Sequence, residues 1–228
     1  VHSLTNPVPL TGEGRLRFNQ ATSEWGAARE IQIKGRLATP ATYTPPRSDE
    51  SWAWWAKLEP YVLDWDCHLR GLQSRGLEVE DVACTGHWRA PDLTITNLHA
   101  ELYQRGLDVC ADLDVATREL GLRFSSALDP HKIAPLLSES AQRSLALLSW
   151  QEPPQLKGSL SLVLPAWTNR QPAWSAEVLP TLRLEGECRL EHGGAYRDVA
   201  VSAVQAHVLY SNRVWRVPDL KIARPEGR

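Results

Sequence analysis

Apolar and polar residues alternate with a period of two along most of the chain. In residues 182–190 every even position is apolar or glycine, and every odd position is charged. Residues 156–164 and 107–115 alternate in the same way, the latter with three aspartates on the polar side. Successive side chains of a strand point to opposite faces, so these segments predict strands with one dry and one wet face. This pattern is typical of an antiparallel sheet.

One segment departs from the alternation. Asp129 and Pro130 open a stretch with apolar residues at helical spacing, and we expect Asp129 as its N-cap and Pro130 as its first helical residue. Pro135 lies too deep for one continuous helix, which predicts two short pieces, the second capped near Ser138. The Pro-rich residues 151–154 then lead back into strand.

The alternation repeats along the chain. Eight positions on one face of residues 82–100 recur in residues 204–222 with a constant offset of 122. In both copies a step of three residues replaces one step of two, which predicts a β-bulge at Asn97 and at Asp219. Two upstream segments recur with the similar offsets 123 and 121, namely residues 33–37 at 156–160, and Cys67 and Leu69 at Cys188 and Leu190.

These patterns predict an all-β chain with a short helical insertion, built from tandem strand-meander repeats that form an elongated antiparallel sheet. The expected units are an N-terminal strand and connector at 1–30, a first β-meander repeat at 31–127, a helical segment and Pro-rich linker at 128–154, and a second, incomplete repeat at 155–228.

Composition narrows the class of protein. The chain has 228 residues, 43% hydrophobic and 23% charged, and its net charge is −2. This balance is that of a globular protein and argues against a nucleic-acid binder, which would need a basic surplus. No window of about 18 apolar residues is long enough for a membrane-spanning helix. The chain opens with Val1 and contains no Met, so we expect an excised or processed segment.

The four cysteines are widely spaced and include no C-x-x-C pair. This spacing argues against a structural zinc site, and no metal or other cofactor is expected. Small semi-buried thiols are the favoured interpretation, with one oxidised pair in a secreted setting as the alternative.

Two acidic stripes are the candidates for catalysis. Asp64, Asp66 and His68 alternate along one predicted strand, and Asp108, Asp112 and Asp114 do so along another. Either set could provide an acid–base pair or hold a metal, but such stripes are more often the solvated face of a sheet. No hydrolase, zinc-protease, phosphate-loop or dinucleotide motif is present. We therefore expect no catalytic residue and no enzyme.

The tryptophan-rich run of Trp52, Trp54 and Trp55 allows two interpretations. The rings could plug an end of the core, or they could be exposed and stack on sugar rings or lie at a membrane interface.

Two strand–turn–strand segments resemble a known family. The runs LTITNLHAELYQRGLDV at 93–109 and VLYSNRVWRVPDL at 208–220 are similar to the repeated unit of the AsmA-like family, part of the bridge-like lipid-transfer superfamily. The resemblance implies a long curled sheet forming a β-groove lined by apolar side chains. It also implies a periplasmic protein, anchored in the inner membrane by a segment outside this chain, that moves phospholipids toward the outer membrane or assists its assembly.

On this hypothesis the partners are phospholipids or other acyl-chain lipids and further repeats of the same chain, with membrane contact through parts outside the segment. The alternative is a closed β-sandwich that binds glycans or is purely structural, because a sandwich also needs strands with a dry face. The predicted groove-lining residues are Leu93, Ile95, Leu98, Leu107, Val109, Leu113, Leu160, Leu162, Leu184, Leu190, Val204, Val208, Val217, Leu220 and Ile222.

Overall fold

The computed structural model describes residues 11–23, 26–38, 50–74, 76–136 and 139–225. Within them the strands are β1 (Gly12–Ser23), β2 (Gly26–Ala38), β3 (Val62–Ser74), β4 (Leu77–Arg89), β5 (Asp92–Leu102), β6 (Arg105–Asp114), β7 (Glu119–Ser126), β8 (Leu148–Trp150), β9 (Gln155–Val163), β10 (Arg183–Leu190), β11 (Gly194–Tyr196), β12 (Val199–Val201), β13 (Ala203–Ser211) and β14 (Val214–Ala223). The helices are a 3-10 helix at Glu50–Lys57, a 3-10 turn at Ala134–Leu136, α1 (Glu139–Leu145) and α2 (Trp174–Glu177).

Eleven strands form one antiparallel meander. The order β1-β2-β3-β4-β5-β6-β7-β9-β10-β13-β14 follows the chain, and the sheet does not close into a barrel. The remaining strands form a small sheet in the order β12-β11-β8. The predicted all-β fold with an open, curled antiparallel sheet is confirmed.

The sequence repeat is reproduced in the strand pairing. Val82 faces Ala100 across β4 and β5, and Val204 faces Ile222 across β13 and β14. The register shift lies after Thr85 in the first pair and after its equivalent, His207, in the second. The bulges therefore lie immediately before the two predicted residues, between Ile95 and Asn97 and between Arg216 and Asp219. The order β2-β3-β4-β5 is repeated as β9-β10-β13-β14.

The repeat spans six strands of the sheet, because β9, the equivalent of β2, lies six places after β2 in the sheet order. Both β2-to-β3 and β9-to-β10 connections contain a short helix, at Glu50–Lys57 and at α2. Since β2 and β9 run in the same direction, the two connections lie at the same edge of the sheet. β2 begins at Gly26, and β7 ends the first set of six strands at Ser126.

The segment after β7 contains two short helical pieces, as predicted, but its start was predicted wrongly. Residues 130–133 form turns, and Asp129 Oδ1 accepts a hydrogen bond from the His131 backbone N–H (3.0 Å) instead of capping a helix. Pro135 provides the physical reason, because its ring excludes an α-helical carbonyl four residues earlier. The predicted cap near Ser138 lies outside the described residues. None of the helices in the described part of the chain is long and apolar enough to cross a membrane.

Candidate functional site

All fifteen predicted lining residues lie on one side of the eleven-stranded sheet, which we call the apolar face. The strand register shows this alignment directly: Leu98 is opposite Val109, and Leu160 is opposite Leu184. Neighbouring residues opposite one another in a sheet share a face, so the apolar rows continue from strand to strand.

The fifteen residues differ in how much they are covered. Leu93 and Leu113 pack into one hydrophobic cluster, and Leu98 and Leu107 pack against another. Leu190 is also buried. On the last strand Val217, Leu220 and Ile222 are exposed. The residues that remain half-buried on the open part of the face are Ile95, Val109, Leu160, Leu162, Leu184, Val204 and Val208.

A tryptophan cluster covers the apolar face at one end of the strands. It is formed by Trp52, Trp55, Trp88 and Trp167. Trp55 stacks on Trp88 with ring centroids 5.4 Å apart and lies 5.7 Å from Trp167. Trp55 and Trp167 come from the equivalent connections of the two repeats, so the cluster joins the repeats. Because Trp52 and Trp55 are each only 8% exposed, the prediction that this run plugs an end of the core is confirmed for them. Trp54 is 54% exposed.

A second hydrophobic cluster covers the same face at the opposite ends of the strands. Val79, Ala100, Leu102 and Leu128 are buried there. Leu128 follows β7, and its backbone N–H donates to Ser126 Oγ (3.0 Å), which holds the chain over the strand ends. The open part of the apolar face therefore lies between the two clusters.

Two aromatic rings of the apolar face lie against glycines of the neighbouring strands. Trp65 is directly opposite Gly86, and Phe124 is directly opposite Gly158. A Cβ on Gly86 would lie 2.3 Å from the Trp65 ring, and one on Gly158 would lie 3.0 Å from the Phe124 ring. The glycines thus let the rings lie close to the backbone of the sheet, as cross-strand glycine–aromatic pairs do in other sheets.

The opposite face is polar and its charged groups pair with one another. His68 contacts Asp81 at 2.8 Å, and His99 contacts Asp108 at 2.7 Å. Arg89 binds Asp64 at 3.1 Å. The two acidic stripes therefore lie on this solvated face, where Asp64, His68 and Asp108 each contact a different partner. Among the described residues no group of acidic, histidine or cysteine side chains is arranged to hold a metal ion.

The four cysteines are free thiols of intermediate exposure, in agreement with the favoured prediction. Cys67, Cys84 and Cys188 lie on the apolar face, while Cys110 lies on the polar face opposite Arg123. Burial raises the pKa of Cys67, with smaller contributions from Cys84 and Asp66, and burial raises the pKa of Cys188. A buried apolar setting disfavours the thiolate, so these two thiols are less reactive at a given pH.

The lining extends beyond the predicted list. Ile33, Trp65, Leu122 and Phe124 share the apolar face with the predicted residues. The alternation in β2 and β7 could have identified Ile33 and Leu122. The close approach of Trp65 and Phe124 to the sheet could not be anticipated, since their glycine partners lie 21 and 34 positions away in the chain.

Comparisons with known proteins add no relative: no family model, curated protein or solved structure matches this chain.

Proposed function

We propose that this chain binds the acyl chains of lipids along the apolar face of its open sheet and acts without catalysis. The observation that supports this most is the apolar face itself, which crosses eleven strands and which the described residues cover only near the two ends of the strands. In the described part of the chain, only short helices, connections and a three-stranded sheet lie outside the main sheet. A closed sandwich would need a second large sheet there.

The dimensions suit extended apolar ligands. Eleven strands at a spacing of about 4.8 Å make a face about 48 Å long. Each methylene removed from water contributes about 0.8 kcal/mol, and this attraction has no preferred direction. An acyl chain on such a face is held by its length and can slide along it.

The finer proposal is that the lipid is a phospholipid and that the chain is a periplasmic segment of a carrier directed to the outer membrane. Its support is the resemblance of the strand–turn–strand runs at 93–109 and 208–220 to the AsmA-like family. An inner-membrane anchor would lie outside this chain.

The first test is native mass spectrometry of the folded protein purified from a bacterial host, with lipid extraction. We expect phospholipids to co-purify. A folded protein that stays lipid-free when incubated with phospholipid vesicles would contradict the proposal and would favour the glycan-binding or structural alternative, for which Trp54 is the exposed ring to test.

The cysteines offer an internal control for where lipid binds. Maleimide labelling, followed by mass spectrometry at each site, is compared with and without phosphatidylethanolamine–phosphatidylglycerol vesicles. Lipid on the apolar face should slow labelling of Cys67, Cys84 and Cys188 and leave Cys110 unchanged. Equal protection of all four sites would mean that binding is not confined to the apolar face.

Adjacent residues of β9 offer a matched pair of substitutions. Leu160→Asp places a charge on the apolar face, whereas Ser159→Asp places it on the polar face opposite Arg123. Because an unpaired charge is costly in an apolar environment, we expect Leu160→Asp to lower co-purifying lipid several-fold and Ser159→Asp to have little effect. Circular dichroism checks that both variants are folded, and undiminished lipid in a folded Leu160→Asp protein would contradict the proposal.

A further inference from the structure

Two cysteines of the first repeat lie directly opposite each other on the apolar face. The register of β3 and β4 pairs Cys67 with Cys84. Directly opposite residues of antiparallel strands have both their Cα and their Cβ atoms about 4.5–5.5 Å apart. A disulfide joins Cα atoms about 4.4–6.8 Å apart and Cβ atoms about 3.5–4.5 Å apart. The sheet therefore holds these two thiols within about 1 Å of the geometry that a disulfide needs.

The surroundings of this pair allow oxidation. Both cysteines are half-buried, and so are Ile33 and Leu98, which flank them in the same cross-strand row. The thiols are also close enough to interact, because Cys84 adds to the effect of burial in raising the pKa of Cys67. A raised pKa makes the thiolate scarce, but a second thiol that is held in place has a high effective concentration, which offsets this.

The other two cysteines lie out of reach of this pair. Cys110 projects from the polar face, where its Sγ donates a hydrogen bond to the Thr96 backbone oxygen at 3.2 Å. Cys188 lies on β10, six places from β3 in the sheet order. Cys67 and Cys84 are therefore the two of the four cysteines that the fold brings into bonding range.

The second repeat contains half of the same arrangement. Cys188 is the equivalent of Cys67, and the residue directly opposite it is Ala206, the equivalent of Cys84 at the offset of 122. The same backbone site is thus present twice, with two sulfur atoms in the first repeat and one in the second.

We propose that Cys67 and Cys84 form a cross-strand disulfide when the chain meets an oxidising thiol–disulfide couple, such as that of glutathione. One cysteine thiolate attacks the disulfide of the oxidant, forms a mixed disulfide and releases the first thiol of the oxidant. The second cysteine then attacks the mixed disulfide and releases the other. Two cysteine thiols are oxidised, one external disulfide is reduced, and the two protons of the cysteines pass to the two released thiols.

The bond would join β3 to β4 within the first repeat. A cross-link restricts the unfolded chain and so stabilises the folded one. The second repeat would stay without a cross-link. Oxidation should therefore raise amide protection in β3 and β4 and leave β10 and β13 near the level of the reduced protein, as hydrogen exchange with mass spectrometry can measure.

The test titrates the full, lipid-free chain with oxidised glutathione at a fixed concentration of reduced glutathione. Remaining thiols are alkylated, and the sites are mapped by mass spectrometry. We expect Cys67 and Cys84 to lose alkylation together and to yield one linked peptide, at least tenfold less oxidised glutathione being needed than for modification of Cys110 and Cys188. Stable glutathione adducts on Cys67 and Cys84 without a linked peptide, or linkage of either residue to Cys110 or Cys188, would overturn the proposal.

Two neighbouring substitutions on β13 show whether strand register decides the pairing. Ala206→Cys supplies the sulfur that the second repeat lacks, directly opposite Cys188, whereas Gln205→Cys places it opposite Arg189 on the polar face. We expect the new thiol to link to Cys188 in Ala206→Cys and to stay alkylatable in Gln205→Cys. Equal linkage in the two variants would contradict the geometric argument. Because lipid is left out of both experiments, their outcome does not depend on the proposed lipid binding.

Discussion

At the scale of single residues, the tryptophans of the cluster differ in whether their ring N–H groups are hydrogen-bonded. Trp88 is 2% exposed, and its Nε1–H donates to the Leu58 backbone oxygen at 2.8 Å. Trp55 is also buried, at 8% exposed, but its Nε1 has no hydrogen-bond partner among the described residues. The first ring is held by packing and a directed bond, and the second by packing alone.

Replacing each ring by phenylalanine separates these contributions. Both substitutions remove the same atoms, but Trp88→Phe also removes one of the two hydrogen bonds to the Leu58 oxygen, which keeps the one from the Tyr61 backbone N–H (3.0 Å). We expect Trp88→Phe to destabilise the protein by about 1 kcal/mol more than Trp55→Phe, the usual net value of a hydrogen bond. The free energies of unfolding in urea measure the difference, and equal losses would show that the Trp88 bond contributes nothing.

At the scale of the strand, glycines set how closely the aromatic rings approach the sheet. A methyl group on Gly158 would lie 2.6 Å from the Glu185 carbonyl oxygen as well as against the Phe124 ring, so strand and ring would both have to move. Gly121, on the polar face of the neighbouring β7, has its nearest such contact at 3.9 Å, from the Asp112 oxygen.

These two positions form a matched pair for alanine substitution. We expect Gly158→Ala to destabilise the protein by about 1–3 kcal/mol through overpacking. Gly121→Ala should change stability by less than about 0.5 kcal/mol, as is usual at uncrowded surface sites. Thermal or urea unfolding measures both, and a neutral Gly158→Ala would mean that Phe124 can leave the sheet surface without cost.

Much of this organisation could be predicted at the strand level. Alternation identified β6, β9 and β10, and the shared offset indicated the two bulges, because neither signal requires knowing which strands pair. Turns were harder. Tyr103 and Gln104 both have positive φ without a glycine, at 51° and 62°, as do Arg197 and Asp198. Such turns are imposed by the strands they join, and side-chain preference alone does not indicate them.

At the scale of the whole molecule, the chain exposes far more surface than a compact protein of its mass does. The solvent-accessible area is 15834 Å². A compact monomer of 25.5 kDa would expose about 10,400 Å². The sequence could not predict this openness, because a closed sandwich and an open face require the same dry positions on each strand.

Among the described residues, extensive strand contacts occur only between neighbours in the sheet order, and the tryptophan cluster links the two repeats in addition to the β7–β9 pairing. Stability in such an array is close to a sum over neighbouring pairs. In Gly158→Ala we therefore expect amide protection to fall in β9, β10, β13 and β14 and to stay near the parent level in β2, β3 and β4. Hydrogen exchange with mass spectrometry measures this, and a uniform loss across the sheet would show a single cooperative unit.

The period of six strands has a consequence for how such a chain could grow. Because six is even, each new copy starts with a strand that runs in the original direction. Its apolar face stays on the same side of the sheet, and its tryptophan-bearing connection lies at the same ends of the strands. An odd period would place alternate connections at opposite ends of the strands. At a spacing of about 4.8 Å, duplicating one unit would lengthen the sheet by about 29 Å and alter nothing else. Gene duplication could thus change the length of the sheet in increments of one six-strand unit without any other substitution.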